Sequence, residues 1–125
     1  ALIKKIHQIK VGKKKVLKLW GTGKVKREFI YVDDIADACI YFMNKKTKSF
    51  LINVGSGKDQ TIKEVAKKAL NILKVKCKII FDKKNIDGTP RKILDVSLAR
   101  SLGWENKTSF NEGLLKTYSD YMKQK

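Results

Sequence analysis

Apolar positions along the chain switch between two periods, and the switches mark out a mixed α/β order. Leu2, Ile3, Ile6 and Ile9 recur at helical spacing, which predicts the end of a helix over Ala1–Lys10. Past Gly12 and the basic turn Lys13–Lys15, the alternation of Val16, Lys18 and Trp20 with Leu17 and Leu19 predicts a strand. Gly21-Thr22-Gly23 forces a turn, and Arg27–Val32 reads as a second short extended segment. Asp33 or Asp34 is placed to cap an Ala-rich apolar helix over Ile35–Asn44. Ser49–Val54 is an apolar run of strand length, halted by Gly55-Ser56-Gly57.

The second half repeats the alternation. Thr61-Ile62-Lys63-Glu64 has the form of a capping box. The helix it opens, to about Leu73, carries Ile62, Val65, Ala66, Ala69, Leu70 and Leu73 on one face. Lys76–Phe81 reads as a strand, and Asp82–Lys92 as a polar loop holding Gly88 and Pro90. Ser97–Leu102 is a short helix closed by Gly103. Ser109-Phe110-Asn111-Glu112 repeats the capping pattern and starts a last helix through Tyr118 and Tyr121. Without an internal repeat or a linker, residues 1–125 read as one unit with a modest core.

Charge changes the picture less than its size suggests. The formal net charge is +17, yet among 29 basic residues only Arg27, Arg91 and Arg100 are Arg. Base readout and bidentate phosphate contacts favour Arg, and single-strand binders interleave aromatics with the charge. Here the Lys residues are spread over every element, so a basic nucleic-acid-binding module is the rival reading and no specific nucleic acid is expected. The first 30 residues hold ten basic residues against Glu28 alone, so that end should draw anions. Cys39 and Cys77 lack a partner at metal-ligand spacing; buried free thiols in a reducing cytosol are expected, with no metal. No apolar run approaches the length of a membrane span.

The chemistry of a complete catalyst is not here. No strand–GxxGxxG–helix fingerprint occurs, nor a Tyr-x-x-x-Lys pair, and His7 stands without an acid or nucleophile beside it in the sequence, as an exposed helical His. The chain starts on Ala1, directly in helix-like sequence, and a piece of a longer protein is expected.

Three passages carry a resemblance. Arg27-Glu28-Phe29-Ile30-Tyr31-Val32-Asp33-Asp34-Ile35-Ala36, Asn53-Val54-Gly55-Ser56-Gly57 before a capped helix, and Leu102-Gly103-Trp104 resemble extended short-chain dehydrogenase/reductases acting on nucleotide sugars. Asp87-Gly88-Thr89-Pro90-Arg91-Lys92-Ile93-Leu94-Asp95-Val96, joined to Leu19-Trp20-Gly21-Thr22-Gly23, is similar to the GDP-L-fucose synthase family in particular. That resemblance implies the C-terminal, substrate-binding portion of such an enzyme, lacking most of its Rossmann domain. It implies an NADPH-dependent parent that epimerises and reduces GDP-4-keto-6-deoxy-D-mannose, is cytoplasmic, and forms a homodimer. The catalytic set and the cofactor site would lie outside this chain. Residues 35–54 would pack on the missing NADP-binding domain, and 1–30 with 58–125 would form the substrate lobe. Another nucleotide-sugar epimerase or dehydratase is the alternative within the superfamily.

The substrate class sets the candidate residues. Arg27 can offer a planar fork to a pyrophosphate, where the plain alternative is a surface Arg paired with Glu28. The resemblance adds Lys92 and Lys5 as further cations facing the diphosphate. Trp20, ending a strand at a Gly turn, can stack on a base or sugar or simply pack. Asp87 can accept from ribose or guanine, or hold an Asp-Gly turn; both readings stand. Arg91 is either a phosphate ligand or a partner of Asp95. Trp104 is expected to anchor a helix junction.

Overall fold

The computed structural model describes residues 2–49, 51–84 and 86–124. Ten elements follow in order: α1 (Leu2–Lys10), β1 (Val16–Trp20), β2 (Lys26–Glu28), α2 (Val32–Met43), β3 (Asp59–Thr61), α3 (Ile62–Ile72), β4 (Lys78–Asp82), β5 (Arg91–Lys92), α4 (Ser97–Ser101) and α5 (Phe110–Lys123). β1 and β4 pair in parallel, Val16 opposite Lys78 through Trp20 opposite Asp82. A second sheet has the order β3-β2-β5, antiparallel on one side of β2 and parallel on the other.

Two apolar clusters hold the chain. The larger one joins Ile6 of α1, Leu17 and Leu19 of β1, and Ala66, Ala69, Leu70 and Leu73 from the α3 side, with Leu114 and Tyr118 of α5 at its margin. The alternation expected of β1 is met, since Leu17 and Leu19 are buried while Val16, Lys18 and Trp20 face out. α3 begins as its sequence predicts: Thr61 Oγ1 accepts from Glu64 N at 3.1 Å, and Glu64 Oε2 accepts from Thr61 N at 2.8 Å. Only half of that box forms at α5, where Ser109 Oγ accepts from Glu112 N at 3.2 Å.

The smaller cluster is Ala38 of α2, Ala99 of α4 and Trp104, backed by Ile30, Tyr41, Phe42, Ile52 and Val54. Trp104 does anchor the junction: it is buried, and its indole N–H donates to Asp37 Oδ2 at 3.0 Å.

Several expectations are corrected. α2 starts at Val32, three residues before Ile35, and its N-cap is Tyr31, without a side-chain cap. Asp34 is buried and reaches away from its own helix, accepting from Thr108 N and Thr108 Oγ1 at 3.0 Å each. Leu51–Val54 is not a strand, since no described strand lies alongside to pair with it, and residue 50 falls outside the described residues. Conversely β3 and β5, short and polar, are made by their pairing with β2 and carry no apolar period. His7 is buried, its Nδ1 3.1 Å from the Tyr118 hydroxyl and its ring edge-on to Tyr121. The thiols are free but not buried: Cys39 is exposed and Cys77 half-buried.

α2 has two apolar faces, of which the smaller cluster uses one. Val32, Ala36, Cys39, Ile40 and Met43 form an exposed stripe at helical spacing, with Met43 85% exposed. The two faces make a test. Asp34→Ala removes a buried carboxylate that holds two donors, and urea denaturation should show a loss of about 2–4 kcal/mol. Val32→Ser, on the open face, should change stability by less than about 0.5 kcal/mol.

Candidate functional site

β2 organises the candidate residues. Its in-register neighbours place Arg27 directly opposite Lys92 of β5, so the two cations share one face of the sheet. On the other face Lys26 stands opposite Arg91. That second pair is compensated, because Arg91 Nε donates to Asp59 of β3. Asp59, not Asp95, is therefore the partner of Arg91, and the salt bridge holds the Asp59 carboxyl below the usual carboxylate range.

Arg27 has no such partner: none of the ion pairs among the described residues includes Arg27 or Lys92. The expected alternative for Arg27, a pair with Glu28, is not formed. Arg27 Nη1 instead donates to the carbonyls of Lys26 at 2.6 Å and Thr89 at 2.8 Å. These neutral acceptors orient the fork without cancelling its charge. Arg27, Arg91 and Lys92 open onto a hollow also lined by Glu28, Ile30, Val54, Gly55, Ile93 and Leu94.

Asp87 works as a tie. Its Oδ1 accepts from Thr22 N at 2.9 Å and its Oδ2 from Thr22 Oγ1, which fastens the 86–90 loop to the turn after Trp20. Gly21 is required at this junction, since it has φ +73° and a Cβ there would lie 2.0 Å from Asp87 Oδ1. The same loop supplies the Thr89 carbonyl to Arg27. The Thr22–Asp87 bonds thus link the segment that carries Trp20 to the segment that aims the guanidinium.

Trp20 closes β1 and is 73% exposed, an unusual position for an indole. Lys5, on α1, reaches the same strand two residues before Trp20, its Nζ donating to the Lys18 carbonyl at 2.8 Å. The structure brings Arg27 and Lys92 together directly and joins Asp87 and Trp20 to them through the loop. Lys5, Trp20 and Asp87 do not line the hollow itself.

Two contributors escaped the sequence reading. Thr22 was visible only as part of a glycine turn, and Glu28 only as a neighbour of Arg27. Glu28 makes no ion pair with Arg27; it lines the same hollow and accepts from Gly57 N at 2.6 Å and Leu94 N at 2.9 Å. A carboxylate beside an Arg in sequence alternates away from it in a strand, and that period was the available signal.

No described strand runs into a glycine-rich turn that opens a helix. β1 is followed by Gly21-Thr22-Gly23 and then β2, and β3 passes directly into α3. The described residues therefore offer no cradle for a dinucleotide, and no group of three or more His, Cys, Asp or Glu among them could hold a metal ion. None of the described helices is long and apolar enough to cross a membrane.

Comparison with known proteins places this arrangement. The model of the NAD dependent epimerase/dehydratase family matches residues 1–55. Over 98% of its length the chain is 41% identical to a putative GDP-L-fucose synthase 2 of Arabidopsis thaliana, of which it spans 37%. The chain belongs to the NAD-dependent epimerase/dehydratase family. Within that family it is also 40% identical, over its whole length, to a GDP-L-colitose synthase of Yersinia pseudotuberculosis, spanning 41% of that protein. Among solved structures, a GDP-mannoheptose C4 reductase from Campylobacter jejuni with NADP bound superposes with TM-score 0.81 at 35% identity. The superposition covers 97% of this chain and 43% of the reductase. The chain thus spans about two fifths of these relatives, and its fold is the C-terminal portion of an extended short-chain dehydrogenase/reductase.

The Asp87 tie has a pH signature. The Thr22 hydroxyl, then the Thr22 amide, hold the Asp87 carboxyl below the usual carboxylate range, with Arg27 adding to the effect. A depressed folded pKa means that the tie is intact above about pH 4, the unfolded value, and weakens as pH falls through the lower folded one. NMR titration should give Asp87 a midpoint below about 3.9, followed by the Thr22 amide shift. Thr22→Val should move that midpoint upward.

Proposed function

We propose that this chain is the substrate-binding region of an NADPH-dependent GDP-L-fucose synthase, which converts GDP-4-keto-6-deoxy-D-mannose to GDP-L-fucose by epimerisation and reduction. The observation that carries the reading is the Arg27–Lys92 pair, two cations opposite each other on adjacent strands, neither in an ion pair among the described residues. A diphosphate is the ligand that such a pair fits: Arg27 offers a planar fork and Lys92 a point charge. Three of the relatives described above are named for GDP-sugars, which favours guanine over uracil at the nucleoside end.

The other residues take supporting parts. Trp20 presents an exposed ring for stacking on the base or sugar. Asp87 holds the loop that aims Arg27. Lys5 adds to the positive field near β1. The contribution of this region to the reaction is positioning and charge neutralisation. Hydride chemistry and the proton-transfer groups belong to the remainder of the parent enzyme, which supplies the NADPH site. The exposed α2 stripe from Val32 to Met43 is the surface on which that remainder packs, in a cytoplasmic homodimer.

Full-length enzyme gives the test. Arg27→Ala should raise the KM for the GDP-sugar by about 10–100-fold, the loss expected for a charged hydrogen-bonding group, and leave the KM for NADPH unchanged. Unaltered substrate kinetics would remove Arg27 from the site. Thermal shift with GDP, UDP and dTDP should show stabilisation by GDP; a preference for UDP would move the assignment to another nucleotide-sugar enzyme.

A further inference from the structure

Glu28 sits one residue beyond Arg27 on β2, and its carboxylate is fully engaged with backbone from two separate segments. Oε1 accepts from Gly57 N at 2.6 Å and from Ser56 Oγ at 3.3 Å, while Oε2 accepts from Leu94 N at 2.9 Å. The carboxylate occupies the space above Gly55, where a Cβ would lie 2.4 Å from Oε1. Glu28 itself lines the hollow onto which Arg27, Arg91 and Lys92 open, together with Val54, Gly55, Ile93 and Leu94 of the two segments so joined.

β5 is only two residues long, paired to β2 at Lys26–Arg91 and Arg27–Lys92. Two residues of parallel pairing are a weak hold on a strand that sets one cation against another. The Glu28–Leu94 bond fastens the chain two residues beyond Lys92, and the Glu28–Gly57 bond fastens the opposite wall to the same carboxylate. From this we infer that Glu28 is a positioning residue: it fixes the spacing of the two walls and thereby holds Lys92 in register with Arg27 for one diphosphate. This rests on the reading of the hollow as the diphosphate site of a GDP-sugar enzyme.

Glu28→Gln in the full-length enzyme leaves the volume in place but turns an amide N–H₂ towards one of the backbone donors, so one of the two ties is lost. The KM for the GDP-sugar should rise about tenfold, with kcat within about threefold of wild type and the KM for NADPH unchanged. The decisive comparison is a double-mutant cycle with Arg27→Ala. Because Glu28 acts through the hollow, adding E28Q to the Arg27→Ala enzyme should raise KM by less than about twofold. A double variant whose KM is the product of the two single effects, or an equal rise in the KM for NADPH, would make Glu28 an ordinary fold residue and overturn the inference. Should E28Q not accumulate as folded protein, Ser56→Ala removes one donor while keeping the charge, and it should raise the KM for the GDP-sugar about threefold; no change would count against Glu28. If wild type turns over the GDP-sugar and E28Q matches it, this inference alone fails. A wild-type enzyme that neither binds GDP nor turns over the GDP-sugar would sink the functional reading as well.

Discussion

The site depends on an electrostatic conflict that the sheet creates and does not resolve. Like charges directly opposite on neighbouring strands are destabilising, by up to about 1 kcal/mol at a solvated sheet surface. β2 and β5 make two such pairs, and they are treated differently. Lys26 and Arg91 are relieved by Asp59, one strand away. Arg27 and Lys92 form no ion pair among the described residues; Arg27 donates to the carbonyls of Lys26 and Thr89 and acts on Asp87 only through space. A residual repulsion of this kind is a liability in a bare fold, and it becomes a source of affinity when a dianion enters, because binding removes it. The acids that could have quenched the pair are close in sequence and in space, yet each is engaged elsewhere. Glu28 faces Gly57 and Leu94, and Asp87 faces Thr22.

That allocation explains why so much of the site is backbone. Four short segments meet around β2: the turn at 21–23, the loop at 55–58, the loop at 86–90 and the link at 93–96. None has an apolar period, and none could be held by burial alone. Each is tied instead by a carboxylate accepting from peptide N–H groups, a charged hydrogen bond stronger than its neutral counterpart. Gly21 and Gly55 are the complementary half of the device, since a side chain at either would collide with the carboxylate that does the tying.

The parts of the fold legible in the sequence were those with a repeating apolar face. α3 could be read from Thr61 to Leu73 because its cap and its buried stripe agree, and β1 because Leu17 and Leu19 alternate with exposed neighbours. β3 and β5 could not, because Asp59-Gln60-Thr61 and Arg91-Lys92 are strands only through what lies beside them. His7 misled for a related reason. A lone polar residue next to Ile6 looks like the solvent edge of a stripe, and only α5, about a hundred residues later, brings Tyr118 and Tyr121 to cover it. For the site, the chemistry of a nucleotide sugar singled out Arg27 and Asp87, and the resemblance added Lys92 and Lys5. The opposition of Arg27 to Lys92, and the engagement of Asp87 with Thr22, are facts of register that no linear pattern contains.

The two clusters explain how one short strand can serve as the frame. The larger core fixes β1 and therefore the Trp20 turn; the smaller fixes α2 and α4 and therefore the link that carries Leu94. Glu28 ties the end of β2 to the loops at 55–58 and 93–96, and Asp87 ties the turn before β2 to the loop at 86–90. A shift of one cluster against the other would be felt first as a change in the distance from Arg27 to Lys92. The open stripe on α2 lies on the face that the smaller cluster leaves free, so the helix that helps fix the link carrying Leu94 keeps one apolar face uncovered among the described residues.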